Sequence, residues 1–298
     1  MKTGKMDTLS RLSVADAMRR QVLQRPESSS IGSAINILLK YKVNALLVID
    51  GRGQPAGVVS KTDIMGAYYA GLPLEAPVEM IMSGPPLYCR PLMRLSEALE
   101  IMHAKGVYRL YVREADDMAV SGVLAYPDIV GLLYQICRHC SMSLHQRKRR
   151  SQADAVKRYT VREVMTREVQ SVDADTSLFG VMEKLSAHRF GALLITERSY
   201  QPAGVISKTD LSLAYRHGVN PQVSAREIMT PRVVRCAADE ALELAIRQLI
   251  YQDIHRLFVH GTNTQEIIGV LSLSDAARVR SGSCHACVTS RIRLESAN

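Results

Sequence analysis

The chain has no long apolar run. Nothing in it approaches the roughly 20 residues that cross a bilayer as a helix, so the sequence gives no reason to expect a membrane-spanning helix. Its start, MKTGKMDTLSRLSV, has no apolar stretch of the kind that makes a secretory signal. A soluble, cytoplasmic protein with reduced thiols is therefore expected. Catalytic signatures are missing too. There is no P-loop, no GxGxxG, no HExxH and no Ser–His–Asp ordering, and the eight histidines are scattered. The expectation is a protein that is not an enzyme. Tryptophan is absent, and no aromatic residue interleaves with the basic run HQRKRR (His145–Arg150), which argues against nucleic-acid binding by base stacking. That run and RIR (Arg291–Arg293) carry part of the net charge of +9. They read either as a surface for an acidic partner or as solvated chain.

What the sequence has is repetition. QPAGVVSKTDIMGAYYAG (Gln54–Gly71) returns as QPAGVISKTDLSLAYRHG (Gln201–Gly218), with twelve of the eighteen positions identical and an offset of 201 − 54 = 147. The same offset carries Arg109 to Arg256, Asp128 to Asp275, Cys89 to Cys236, Cys137 to Cys284 and Cys140 to Cys287, so all six cysteines fall into matched pairs. The chain is a tandem duplication of a unit of about 150 residues. A weaker repeat lies inside each unit. Four segments open alike (VADAM at 14, VEMIM at 78, VREVM at 161, SAREIM at 224), and four close alike (GVVSKTD at 57, GVLAYPD at 122, GVISKTD at 204, GVLSLSD at 269). Between them lie a helical stretch and short apolar runs such as NALLVI, YRLYV, GALLIT and HRLFV, read as strand, helix, strand, strand, helix, four times over. DGRGQP at 50 and ERSYQP at 197 punctuate hairpins.

These four segments resemble cystathionine-beta-synthase (CBS) domains, and each tandem pair resembles a Bateman module. The resemblance covers about residues 11–137 and 158–282. It implies an α/β (α+β) fold in which each repeat is a small three-stranded sheet with helices. The expected division is module one at 1–147 (repeats about 11–70 and 76–137), a basic linker at 148–158, and module two at 159–298 (repeats about 159–217 and 223–282) with a cysteine-containing tail. With 47% hydrophobic residues the chain can bury two cores, expected as one per module. The copied surfaces are expected to pack as pseudo-equivalent halves, and the protein to be a homo-oligomer, a homodimer being the simplest.

The closing motif can be read in two ways. Gly57 lies where the chain leaves a strand, and a missing side chain there lets a ligand approach the backbone. The resemblance implies that the motif hydroxyl and carboxylate hold an adenosine ribose: Ser60 with Asp63, Ser207 with Asp210, and Ser272 with Asp275. A carboxylate can accept both hydroxyls of such a diol. The same spacing also makes a helix-capping box. In the second repeat Ala125 replaces the hydroxyl while Asp128 remains. The strand runs of the even repeats carry Tyr108–Arg109 and His255–Arg256, where the odd repeats have Ala45 and Ala192 at the arginine's place. The family uses that position toward phosphates, and an arginine fork suits phosphate oxygens. A surface ion pair is the alternative. The fourth repeat is then the best equipped, with His255, Arg256, Ser272 and Asp275. Lys61 and Lys208 either add charge nearby or are solvated helix starts.

The implied function is a regulatory protein that binds AMP or ATP and passes a shape change to an effector protein. A second reading starts from the Cys-x-x-Cys pairs CRHC (Cys137, Cys140) and CHAC (Cys284, Cys287), which each follow their motif aspartate by nine residues. Four such thiolates suit zinc or an iron–sulfur cluster, in a metal- or redox-responsive protein with the repeats as scaffold; reduced free thiols are the other possibility. Cys89 and Cys236 read as buried strand residues.

Overall fold

The computed structural model describes residues 12–115, 119–139, 159–188, 190–197 and 201–279. Among the described residues twelve short strands form four separate three-stranded sheets, and each sheet has one parallel and one antiparallel pairing. The first unit runs β1 (Gln24–Pro26), α1 (Ile31–Lys40), β2 (Ala45–Ile49), β3 (Pro55–Ser60) and α2 (Lys61–Tyr69). The second runs β4 (Tyr88–Cys89), α3 (Leu95–Ala104), β5 (Arg109–Val112), β6 (Gly122–Ala125) and α4 (Tyr126–His139). The third runs β7 (Ser171–Asp173), α5 (Leu178–Ala187), β8 (Ala192–Thr196), β9 (Pro202–Ser207) and α6 (Lys208–Arg216). The fourth runs β10 (Arg235–Ala237), α7 (Leu242–Tyr251), β11 (Arg256–His260), β12 (Ile267–Ser272) and α8 (Leu273–Val279).

Local chemistry accounts for these elements. In α1 the buried Ile31, Ala34, Ile35 and Leu38 recur at helical spacing. Ser30 caps its start by accepting from the Ser33 amide at 3.2 Å. The run ALLVI of β2 is buried from Ala45 to Val48 because the sheet is covered on both faces. In the hairpin DGRGQP, Asp50 Oδ1 accepts from the Arg52 and Gln54 amides at 2.8 Å, and Gly53 turns the chain at φ 76°. Cys89 and Cys236 lie on strands and are buried, as their apolar surroundings required. Burial pushes their thiols up to about 11 and about 12.

Two features depart from the linear reading. The opening segments are short helical turns that precede the first strand of each unit: Val14–Ala17, Val78–Met80, Val161–Glu163 and Ala225–Glu227. They also cross over. The segment that opens the second unit is bridged to the first at Val58↔Ser83, and the chain's first segment is bridged to the second unit at Arg19↔Val123. Thr230 pairs with Val205 and Thr166 with Val270 in the same way. The second departure concerns the cores. Among the described residues there are two large ones, but each joins corresponding units of the two halves instead of filling one half. One unites Ile35, Leu38 and Ile64 with Val181, Leu185 and Leu211; the other unites Leu99, Leu110 and Ile129 with Ile246, Leu257 and Ala276. Within the first half the two sheets share a small cluster around Leu47, Tyr111 and Val123 among the described residues. The halves are therefore folded around each other.

Candidate functional site

The pseudo-twofold relation is explicit where α2 and α6 pack. Tyr68 and Tyr215 stack with ring centroids 4.9 Å apart and planes 14° from parallel. Tyr68 Oη donates to the Val219 carbonyl at 2.7 Å, and Tyr215 Oη donates to the Leu72 carbonyl at 2.6 Å. At the other end of the same helices, Lys61 Nζ donates to Thr209 Oγ1 and Lys208 Nζ to Thr62 Oγ1, both at 2.8 Å. Start meets start and end meets end, so the two helices run parallel. Their positive N-terminal ends lie together, each with a lysine reaching across.

The even units bring their arginines toward the same region. In the sheet registers Arg109 stands opposite Ala125 and Arg256 opposite Ser272, as Ala45 does Ser60 and Ala192 Ser207. Arg109 Nη1 donates to the Ala45 carbonyl at 2.5 Å and Arg256 Nη1 to the Ala192 carbonyl at 3.3 Å. The alanines of the odd units thus make room for the arginines of the even ones. A side chain on Gly191 would collide with the Arg256 guanidinium. Neither guanidinium forms a surface ion pair among the described residues, and burial lowers the pKa of both. Lys61 is buried, so a solvated helix start is also ruled out for it. Burial brings the Lys61 ammonium down to about 8, with Asp210 opposing and Arg109 adding repulsion. Lys208 falls to about 8 through burial and the nearby Arg256, with Asp63 opposing. His255 is lowered by burial and then by Lys61 and Arg256. Tyr108 lies beside Arg256 and edge-on to Tyr126. No ion pair to a carboxylate forms at Lys61, Lys208, Arg109 or Arg256 among the described residues.

The closing motifs surround this region, and their capping role is real. Asp63 Oδ2 accepts from the Ser60 amide at 2.7 Å and from Ser60 Oγ at 2.6 Å. Asp210 and Ser207 make the same two bonds at the same lengths, and Asp275 takes them from Ser272 at 2.9 and 2.5 Å. In the second unit only the Ala125 amide remains, 2.8 Å from Asp128 Oδ2. The box uses Oδ2 and leaves Oδ1 for other work. Asp63 Oδ1 accepts from Ser83 Oγ at 2.9 Å, Asp128 Oδ1 is 2.8 Å from Arg19 Nε, and Asp210 Oδ1 accepts nothing among the described residues.

The motif glycine has a different task from the expected one. A Cβ on Gly57 would lie 2.7 Å from Met82 Sδ and 3.0 Å from the Ser83 carbonyl oxygen. On Gly122 it would meet Met18 and Arg19, on Gly204 Met229 and Thr230, and on Gly269 Met165 and Thr166. The missing side chain admits the methionine of a crossed-over opening segment.

The cysteine pairs lie largely beyond the description. Cys137 belongs to α4, whose last turn is described in backbone only; Cys140, Cys284 and Cys287 lie outside the described residues. No three His, Cys, Asp or Glu side chains converge on a metal position among the described residues. The sequence reading undervalued Lys61 and Lys208 and missed Arg19, although SKTD standing unchanged at both odd positions was a signal for the lysines.

Comparison with known proteins matches the family model described as "CBS domain" at residues 14–70, 78–135, 161–217 and 225–282. Among solved structures, a Methanocaldococcus jannaschii protein, a proposed archaeal homologue of g-AMPK, has 17% identity and a TM-score of 0.74, covering 90% of this chain and 99% of its own. A conserved Pyrococcus horikoshii protein has 17% identity and a TM-score of 0.58, covering 90% and 100%. At that identity these likenesses establish the fold. An uncharacterised Methanopyrus kandleri protein is 27% identical over 122 residues, 40% of this chain, which spans 62% of that relative's length.

Proposed function

The chain belongs to the CBS-domain family, and from that premise we propose that it is a regulatory protein, not an enzyme, whose ligand is a phosphorylated adenosine of the AMP or ATP kind. The observation that carries this reading is the group of four cations, Lys61, Lys208, Arg109 and Arg256, gathered in a partly desolvated region and, among the described residues, without a carboxylate at ion-pair distance. Buried charge is costly unless something of opposite sign completes it. A ligand bearing several negative charges does so, and the paired N-termini of α2 and α6 add their dipoles. The motif carboxylates Asp63, Asp210 and Asp275 stand around that centre as acceptors for the ribose diol. The nucleoside then sits in a cleft and its phosphates point inward.

The lysines hydrogen-bond across the two halves, so a ligand that engages them changes how the halves hold each other. That is the proposed route by which occupancy reaches an effector protein. Isothermal titration with AMP, ATP and unphosphorylated adenosine tests the reading. Affinity should rise with phosphate number, and Lys61→Met with Lys208→Met should remove the difference. Equal binding of adenosine and ATP would discard it.

A further inference from the structure

The four clefts are not equivalent, and the difference lies in one residue of each crossed-over segment. Arg19, Ser83, Thr166 and Thr230 each follow the opening methionine. Each also makes the same antiparallel bridge to a closing strand: Arg19 to Val123, Ser83 to Val58, Thr166 to Val270 and Thr230 to Val205. The bridges are two-way, with Arg19 giving and receiving at 2.9 Å and Ser83 doing so at 2.9 and 2.7 Å. The backbone therefore brings residue 19 to the place that a small hydroxyl residue holds in the other three units.

The side chains then diverge. The short Ser83 hydroxyl reaches Asp63 Oδ1 at 2.9 Å, and that contact is exposed. The Arg19 guanidinium reaches Asp128 Oδ1 at 2.8 Å and covers it, leaving the Asp128 side chain 10% exposed. The other oxygen is held by the Ala125 amide. Arginine also brings bulk and a positive charge, and a neutral diol competes poorly with a charge-assisted bond for the same carboxylate. Ala125 contributes no hydroxyl in return.

We infer that Arg19 closes the second unit's cleft by occupying the ribose position at Asp128, so that this cleft is a built-in blank and nucleoside binding is confined to the other units. This rests on the nucleotide reading above. It specifies which cleft is excluded and which residue excludes it. Arg19 lies on the chain's first opening segment, so the plug also fastens that segment to the second unit.

The test counts sites. AMP stoichiometry is measured by calorimetry and equilibrium dialysis on the full chain, in wild type, in Arg19→Thr/Ala125→Ser and in Asp128→Ala. The double variant recreates the Thr and Ser found at the equivalent positions of the third and fourth units, and its new hydroxyl gives Asp128 the partner that Ser60 gives Asp63. The expected result is one additional AMP per chain in the double variant, and unchanged wild-type stoichiometry in Asp128→Ala. A folded double variant with no additional site overturns the inference while leaving the nucleotide reading intact. So does loss of one AMP in Asp128→Ala, a result that stands even if the double variant does not fold. If wild type binds no AMP, the nucleotide reading fails and the inference falls with it.

Discussion

The odd and even units have diverged to different degrees since duplication. Across the first and third, the contacts of one half are returned by the other: Lys61–Thr209 with Lys208–Thr62, Tyr68–Val219 with Tyr215–Leu72, each set at the same 147-residue offset. Across the second and fourth, the arginines match, but Tyr108 stands for His255, Ala125 for Ser272 and Arg19 for Thr166. Residues beside the pseudo-twofold axis pack against their own counterparts, as Tyr68 does against Tyr215, so each is fitted to its copy. The cleft residues of the even units serve one site each and were free to specialise.

The largest effect should come from the axis. Each lysine is expected to make a charge-assisted contact worth about 1.5–3 kcal/mol. Lys61→Met with Lys208→Met should therefore weaken ATP binding by about 10²–10⁴-fold at 1.4 kcal/mol per decade, as read by calorimetry. The same double variant should melt higher than wild type without ligand, because a buried charge has been replaced by an apolar side chain. A lower melting temperature would show that the lysines support the fold instead of waiting for an anion.

The glycines come next. Gly204→Ala places a Cβ 2.7 Å from the Thr230 carbonyl oxygen, a backbone atom that cannot swing away. A loss of about 1–3 kcal/mol is expected from overpacking, measured by urea unfolding. Gly66→Ala is the control. It lies inside α2 with nothing within 4 Å of the added atom, and should gain about 0.5–1 kcal/mol from helix propensity.

The third prediction compares Tyr68→Phe with Tyr215→Phe. Each removes one hydroxyl bonded to a carbonyl across the axis and should cost about 1 kcal/mol. The two losses should be similar, and they should not add, since the rings stack on each other. Clearly unequal losses would mean that the symmetry of the axis is geometric only. Smaller still is the exposed Lys42–Asp253 pair at 2.6 Å, which links the first and fourth units. Lys42→Ala should change stability by no more than about 1 kcal/mol.

A pH series sharpens the same comparison. In the unfolded chain a lysine holds its proton to about 10.4, whereas folded Lys61 and Lys208 release it near 8. The unfolded state binds more protons between these values, so the unliganded protein gains stability as pH rises from about 8. It carries the full penalty below that. Buried Cys89 and Cys236 act oppositely: their raised thiol pKa values make stability fall above about 9. Thermal melts between about pH 8 and 9 should therefore rise, and the Lys61→Met/Lys208→Met variant should lose that slope. Affinity for ATP should run the other way, falling as pH passes about 8 and the lysines discharge.

Much of this was readable in the sequence, because it depends on neighbours along the chain. The duplication, the twelve strands, the caps at Ser60 and Ser207 and the buried Cys89 and Cys236 all follow from residues a few places apart. The sequence could not say which surface meets which. VADAM and VEMIM read as the starts of their own units, yet each packs on another's strand, and that crossing gives Gly57 its purpose. SKTD reads equally well as a solvated helix start and as a buried one, since burial belongs to the pair of helices that meet and not to either. A capping box and a ligand clamp share one spacing, and only three dimensions separate Oδ2, spent on the cap, from Oδ1. Local order along the chain determines the elements. Which charges lose water, and which carboxylate Arg19 covers, is decided when the two halves fold around each other, because desolvation depends on everything that surrounds a group and a sequence specifies only what precedes and follows it.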